Sequence, residues 1–567
     1  IHITGCEGSK GLIVKAVWRS CTILDDVSFV KFEFNFTGNI FLSGFNKCLD
    51  SLTEWCVPFS LVNNLCKLAA QFLLGFHCLT VKDQLLKLVM CCHQDRSARS
   101  LINTTGFHTN NTVLNDVNDT DTVLAAKFVQ LSDDLGKYDF GGRSFSIYTR
   151  TTPLFYPYLD RQEATGDTID DAVYNRNRKL EERFNFIFDE QYYDYTVEGN
   201  DAPRKLLLAG DDTYQLYVGR CVHMFNYASE GYFYKIDDLT AINTEKPYWN
   251  SQLYDNLSIG NAHYFAVGDF NISAFDFTHV LLFNKKMIDD LNLGDIYSTV
   301  LDGKWTFDRF GEMSRAAVSD VNGDSVMDEN DQYGYTSLGK QVLPGFWIAG
   351  GALSMKKNDG QLVYTAPTDQ KFIDVCQKVF EITWNDNIWH RVPITVDREE
   401  EMQMFCDGKA LFTDSSCFQI SLTRDAATDF GIIPYPKYDE TQDKYYSRIE
   451  GCELFGVPLT NTDPEMTSVI LEAMACESRK IVIPAYYEVA LKVKFTRDEE
   501  SSKMLDIAFE NRVFDYGDTI LCEEFRDGVM RQAFAKDNRD IVSTLTKVQN
   551  KVEKKLGTLN DAFGTLE

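Results

Sequence analysis

The most specific chemical motif in this sequence is an acidic loop at residues 320–331. Oxygen-bearing side chains stand at positions 1, 3, 5, 9 and 12 of this twelve-residue stretch, and the residue at position 7 can offer its backbone carbonyl. This is the ligand spacing of an EF-hand-type loop, which surrounds Ca²⁺ with oxygens. The predicted metal ligands are Asp320, Asn322, Asp324, Val326, Asp328 and Asp331.

Two positions of the loop depart from that pattern. Ser325 occupies position 6, where glycine normally makes the tight turn, and Asp331 replaces the longer bidentate glutamate at position 12. A serine held in the left-handed backbone conformation costs about 1 kcal/mol, so the affinity for metal should be reduced. We expect a structural Ca²⁺ site, and the alternative is an acidic turn that binds no metal.

Aromatic side chains form the second chemically suggestive feature, with 7 Trp, 27 Tyr and 40 Phe. Carbohydrate sites pair aromatic faces, which stack on the apolar side of a sugar ring, with carboxylates and amides that bond its hydroxyls. Such a composition suits a carbohydrate-binding protein. It would suit a glycoside-active enzyme equally.

Catalytic motifs are missing from the sequence. There is no GxSxG, HExxH or GxxxxGK[ST] pattern. Adjacent carboxylates such as Asp237 and Asp238 are more simply solvated surface, because an acidic chain produces such pairs by chance. We therefore expect a protein that is not an enzyme.

Net charge excludes further classes of partner. The 567 residues include 84 acidic and 56 basic ones, for a formal charge of −28, which would repel a phosphate backbone or an anionic membrane surface. Nucleic acid is therefore not expected as a partner. Since the sequence has no run of about 18 apolar residues, it predicts no membrane-spanning helix.

Strands and helices alternate from residue 139 onward. The helix predicted to begin at Thr168, with its hydroxyl as the cap, buries Ile169, Val173, Leu180 and Phe184 on one face. Alternation over more than 400 residues predicts an α/β protein with parallel sheets. The other predicted elements are strands at 144–149, 214–218, 280–284, 411–413 and 430–433 and a helix at 370–383.

The N-terminal region does not follow this pattern. Residues 1–105 receive no fold assignment, and residues 106–138, rich in Asn, Thr and Asp, are predicted to form a polar tether. The tetrapeptide Ile3-Thr4-Gly5-Cys6 is similar to the end of a bacterial lipoprotein signal, where the cysteine receives lipid. The alternatives are a chance match or a segment that is not part of the mature protein.

Six segments in order resemble extracellular solute-binding protein family 1, particularly the large sugar-binding lipoproteins of clostridia. The resemblance covers roughly Asp139 to Gly517. The segments are Asp139–Arg143, Thr165–Asn177, Glu245–Asn250, Asp302–Thr306, Asp320–Gly334, and Pro484–Glu488 followed by Arg497–Ser501 and Met504–Asp506.

What the resemblance implies for the fold is a two-lobed, periplasmic-binding-protein-like (type II) α/β architecture with parallel-type sheets and a multi-strand hinge. By analogy the chain crosses between lobes near 275–278, 432–436 and 481–484. The implied domains are residues 139–276 with 434–481 as lobe 1 and residues 277–433 with 482–567 as lobe 2.

What the resemblance implies for function is the substrate-binding component of an ABC importer, which captures an oligosaccharide between its lobes. It would be a monomer, lipid-anchored at the extracellular face of a Gram-positive cell membrane, that delivers its ligand to the importer's transmembrane subunits. The candidate ligand contacts implied by the resemblance are Trp347, Phe346, Phe277 and Asp276. Arg150 and Arg220 are added because they follow predicted strands at the carboxyl edge of a parallel sheet, and the alternative for both is an ordinary surface salt bridge. The alternatives are a glycoside hydrolase-like surface enzyme and a calcium-stabilised adhesion module.

Overall fold

The computed structural model describes residues 131–566 except 152–158, 261, 392–397, 424–425, 427–428 and 493–498. The chain separates into two compact units, Ile1–Asp116 and Val117–Glu567, and every described residue belongs to the second. The unassigned N-terminal segment and most of the predicted tether therefore lie outside the described residues.

Twelve strands are present in the described part of the chain. They are β1 (Arg143–Thr151), β2 (Phe186–Asp194), β3 (Leu216–Arg220), β4 (His279–Asn284), β5 (Tyr333–Thr336), β6 (Met355–Asn358), β7 (Gln361–Tyr364), β8 (Ala410–Ser416), β9 (Phe430–Ile433), β10 (Ser447–Arg448), β11 (Glu453–Gly456) and β12 (Arg512–Val513).

Helices alternate with these strands. They are α1 (Thr168–Phe184), α2 (Ala202–Ala209), α3 (Cys221–Ser229), α4 (Ser251–Leu257), α5 (Ser273–Asp276), α6 (Lys285–Asp290), α7 (Ile296–Leu301), α8 (Phe307–Ala317), α9 (Gly339–Ala349), α10 (Gln370–Trp384), α11 (Arg398–Cys406), α12 (Pro464–Lys492), α13 (Glu499–Glu510), α14 (Arg531–Ala535), α15 (Ile541–Thr546) and α16 (Gln549–Thr565). None of these helices is both long enough and apolar enough to cross a membrane.

The first sheet has the strand order β11-β3-β1-β2. Strand β1 runs parallel to both β2 and β3, and β11 is antiparallel to β3. Most of β1 is buried, as expected for a central strand with helices on its faces. Leu180 of α1 and Val469 of α12 share a core with Phe145 of β1.

The start of α1 differs in detail from the prediction. The helix begins at Thr168 as expected, but the capping side chain is Asp167, whose carboxylate accepts hydrogen bonds from the backbone N–H groups of Ile169 and Asp170. Asp and Thr both cap helices well, but only the residue before the first helical one, here Asp167, has the geometry to reach these N–H donors.

The second sheet has the order β5-β8-β4-β9, in which β4 is antiparallel to both neighbours and β5 is parallel to β8. All six residues of β4 are buried. Both sheets are thus mixed rather than purely parallel, and the α/β class predicted from the alternation of elements is confirmed.

The chain passes between the two sheets at places close to those predicted, with one difference. The passage from α5 to β4 lies at 276–279, beside the predicted 275–278. After β9 the chain stays beside the second sheet, where Trp305 Nε1 donates to the carbonyl of Pro434 at 2.9 Å. It joins the first sheet only at β11, so this passage lies well after the predicted 432–436.

Candidate ligand-binding site

Two arginines end the central strands of the first sheet. Arg150 is the penultimate residue of β1, and Arg220 is the last residue of β3. After β1 the chain adds β2 on one side of that strand, and it then adds β3 on the other side. The carboxyl ends of β1 and β3 therefore form a topological switch point. Open α/β sheets bind ligands at such points, outside the carboxyl ends of the strands.

Glu453 completes this first polar cluster. It lies directly opposite Arg220 in the β3–β11 pair, and its Oε1 accepts a hydrogen bond from Arg150 Nη1 at 3.0 Å. Both partners are buried. Burial raises the pKa of Glu453 to about 7, although the charges of Arg150 and Arg220 act in the opposite direction.

The Arg150–Glu453 pair leaves hydrogen-bonding capacity unused. Among the described residues, neither Arg150 Nε nor Glu453 Oε2 has a hydrogen-bond partner. The Arg150 guanidinium also lies over the ring of Tyr195, 4.0 Å from its centroid. The pair is therefore held in place by charge and stacking, and two of its buried polar atoms have no hydrogen-bond partner in the described part of the chain.

A second polar cluster surrounds Arg448. Its guanidinium donates to both oxygens of Asp518, at 2.6 and 2.8 Å, and both side chains are fully buried. Arg526 Nη1 bonds the same carboxylate at 3.2 Å and Glu450 Oε1 at 2.9 Å. Burial alone would raise the pKa of Glu450, but Arg448 and Arg526 hold it well below its usual range.

His279 connects this second cluster to the second sheet. Its Nδ1 lies 2.8 Å from Asp414 Oδ1 of β8, and its Nε2 lies 3.3 Å from Glu450 Oε2. The hydroxyl of Tyr435 donates to the same oxygen of Asp414 at 2.6 Å. Since His279 begins β4, the cluster anchors the end of that strand.

One short stretch of chain joins the two clusters. We call residues 450–453 the crossing segment, since Glu450 belongs to the second cluster and Glu453 to the first. Gly451, with φ of +71°, lets the backbone turn between them. The amide of Glu450 donates to the carbonyl of Phe277 at 3.1 Å, which ties this segment to the earlier passage between the sheets.

Phe277 and Asp276, both predicted ligand contacts, lie beside that passage. Phe277 is half-buried, with its ring centroid 5.3 Å from that of Phe418. Asp276 is buried and accepts a hydrogen bond from the Tyr486 hydroxyl at 2.9 Å. Burial raises its pKa to about 7, partly offset by that hydrogen bond. Of the two, only the ring of Phe277 keeps appreciable exposure.

Trp347 and Phe346 do not line the site in this conformation. Both are fully buried in α9. The ring of Trp347 packs against Phe372 and Phe525 at 5.4 and 5.7 Å, so it has no free face on which a sugar could stack. The physical reason is that α9 is buried on every side from its third residue onward.

The acidic loop is closed by its own hydrogen bonds. Both oxygens of Asp320 accept backbone N–H groups, from Gly323 at 2.7 Å and Ser325 at 2.8 Å. Asp331 is buried and accepts from Val321 and Asp328. Ser325 has φ of +67°, the left-handed conformation expected at this position. No group of three or more His, Cys, Asp or Glu side chains converges as a metal site within the described ranges.

The loop nonetheless offers the donor types that a hard cation requires. A carboxylate oxygen that accepts one N–H bond keeps a second lone pair. The loop presents carboxylates, the amide of Asn322 and the carbonyl of Val326 within twelve residues. These are the donor types that Ca²⁺ prefers.

The buried Asp276 makes stability depend on pH. Because its folded pKa of about 7 exceeds the ordinary value of 3.8, the folded state holds the proton more tightly, and stability falls as pH rises between these values. We expect Asp276→Asn to stabilise the protein above pH 7, by about 3–4 kcal/mol at most, and to change little near pH 4. Melting temperatures from pH 4 to 8 check this, with the exposed Asp289→Asn as control; a difference from the parent protein that is independent of pH would contradict it.

No protein-family model matches the sequence, and no curated protein matches it either. Solved structures do match. A sugar transporter from Rhizobium etli in an open conformation is 12% identical with a TM-score of 0.51, covering 72% of this chain and 99% of that one. The galacto-N-biose/lacto-N-biose I-binding protein of an ABC transporter from Bifidobacterium longum is 14% identical with a TM-score of 0.50, covering 74% and 98%.

A third solved structure, UspC from M. tuberculosis, is 12% identical with a TM-score of 0.50 and covers 74% of this chain and all of that one. At such identities the similarity establishes the fold. The chain has the two-lobed α/β fold of the solute-binding proteins, as the resemblance implies.

Proposed function

We propose that this protein is the extracellular substrate-binding component of an ABC importer and captures a carbohydrate between its two lobes. The observation that carries the proposal is the crossing segment, which joins a polar cluster at the switch point of the first sheet to one anchored on the second. A ligand that contacts both sides stabilises the closed arrangement of the lobes. Two of the structures with this fold bear names that state sugar transport or binding.

The side chains at this position suit a sugar. The exposed guanidinium of Arg220 offers hydrogen-bond donors for hydroxyl groups, and Phe277 offers an apolar ring. Neither of them forms a nucleophile with an adjacent base, so the chemistry is recognition rather than turnover.

A panel of mono- and oligosaccharides tests the proposal. We expect a saturable rise in melting temperature with at least one sugar, no released product by chromatography, and a matching heat of binding by calorimetry. Hydrolysis would favour the glycoside hydrolase-like alternative. An unchanged melting temperature with every sugar would contradict the proposal and favour the adhesion module.

The ring of Phe277 should contribute to affinity. Replacing it with alanine should raise the dissociation constant by about 10- to 100-fold, because a stacking face for the sugar is lost. Tyr438→Ala, which removes another half-buried ring next to Phe307 rather than the crossing segment, is the matched control. Equal affinities of the two variants would remove Phe277 from the site.

We also propose that residues 320–331 bind a structural Ca²⁺. Chelation should lower the melting temperature by several degrees and leave sugar binding intact, because bound metal stabilises only the folded loop. In the Asp320→Asn and Asp324→Asn variants the effect of the chelator should disappear. No change in the parent protein on chelation would rule out the metal.

We further propose that the protein is a monomer held at the outer face of a Gram-positive membrane by a lipid on Cys6. The support for the anchor is the tetrapeptide 3–6, which lies outside the described residues. Metabolic labelling with radioactive palmitate should mark the parent protein and leave Cys6→Ser unlabelled.

A further inference from the structure

Arg220 forms no ion pair at contact distance with any carboxylate in the described part of the chain, although its charge acts on the nearby Glu453. Its side chain is exposed. Glu453, directly opposite, bonds Arg150 instead. A Cβ placed on Gly451 would lie 3.9 Å from Arg220 Nε, so the guanidinium lies against the crossing segment.

Lys340 is a second cation near the crossing segment. It is the second residue of α9, and its neighbour Gln341 donates to Glu450 Oε2 at 2.8 Å. The charge of Glu450 also acts on Lys340, so this cation lies near the other end of the crossing segment. Burial lowers the pKa of Lys340. Among the residues that the structure describes, no carboxylate forms an ion pair with it.

The two acidic side chains of the crossing segment already have hydrogen-bond partners. Glu450 is bonded by Arg526 and Gln341, and Glu453 by Arg150. A half-buried ammonium without an ion-pair partner is unfavourable. In a chain of net charge −28, two cations that form no ion pair with any described carboxylate, at the two ends of one short segment, indicate an anionic ligand group.

We propose that the captured carbohydrate is acidic, with a carboxylate of the uronate type bound by Arg220, and that Lys340 supplies a second favourable charge. This rests on the proposed function and specifies its substrate class. The planar guanidinium matches the two oxygens of a carboxylate, whereas a neutral sugar would leave both cations without an ion pair.

Calorimetric titration tests the proposal on the full chain. The probes are oligogalacturonates, alginate oligomers and glucuronate-bearing xylo-oligosaccharides, each beside its neutral methyl ester, with sulfated oligosaccharides as a second kind of anion. We expect at least one uronate to bind about tenfold or more tighter than its ester. Arg220→Gln should abolish that preference, Lys340→Gln should reduce it, and Lys551→Gln, which removes an exposed cation on α16, should retain it.

Three results would overturn the proposal and leave carbohydrate capture standing. They are tight binding of neutral sugars only, binding of sulfated sugars without uronates, and a preference for the acid that survives in Arg220→Gln. Failure of every acidic and neutral sugar to bind would instead overturn the proposed function and this inference together. Since Arg220 is exposed, the variant should fold, and its melting curve verifies this.

Discussion

Replacing Arg448 with methionine should lower the free energy of unfolding by about 3–5 kcal/mol. The guanidinium is fully buried, donates twice to the buried Asp518, and contacts Glu450. Methionine fills similar volume but leaves both carboxylates without their main counter-charge. Denaturant unfolding of parent and variant measures the loss.

A matched control for this variant is Arg143→Met. Arg143 bonds Asp463 at 2.8 Å, but its side chain is 54% exposed, so the same substitution should cost about 0–1 kcal/mol. In the double variant Arg448→Met with Asp518→Leu, part of the stability should return, because an apolar pair replaces the ionic one. A cost for Arg448→Met no larger than that for Arg143→Met would mean that solvent reaches the cluster.

The second large effect concerns Trp347. Its replacement with alanine should cost about 3–5 kcal/mol of stability, because a fully buried ring that packs on Phe372 and Phe525 is removed. The dissociation constant for sugar, measured where the variant is folded, should stay unchanged.

Trp347→Phe is the conservative control, and it should retain much of the core packing. The half-buried Trp384 offers a second comparison, since alanine there should cost less. Weaker sugar binding by Trp347→Ala with normal stability would reverse the assignment and return the ring to the ligand site.

The position of the polar clusters has a mechanical consequence for ligand capture. Glu450 and Glu453 are three residues apart and are held by arginines from different parts of the chain. A shift of one sheet relative to the other must therefore act on the crossing segment between them. A ligand bound at this segment contacts the part of the molecule through which the two sheets are coupled.

Local pattern in the sequence is enough to predict the α/β class and five of the eight strands in the two four-stranded sheets. Strand β4 is six consecutive buried residues, and α1 repeats its apolar residues at helical spacing, so both are recognisable without a structure. Strand β2 is missed because Asp189, Glu190 and Gln191 interrupt its apolar alternation at the exposed edge of the sheet.

The candidate site, too, could be predicted from the sequence only in part. Arg150 and Arg220 follow recognisable strands, so their place at the carboxyl edge of a sheet was predictable from order along the chain. Glu453 lies 303 residues from Arg150, and Asp518 lies 70 residues from Arg448, so no local pattern connects them. The tertiary structure decides which distant residues become neighbours. Burial is likewise set by tertiary packing, which is why Trp347 could be recognised as a large apolar side chain but not as one enclosed in the core.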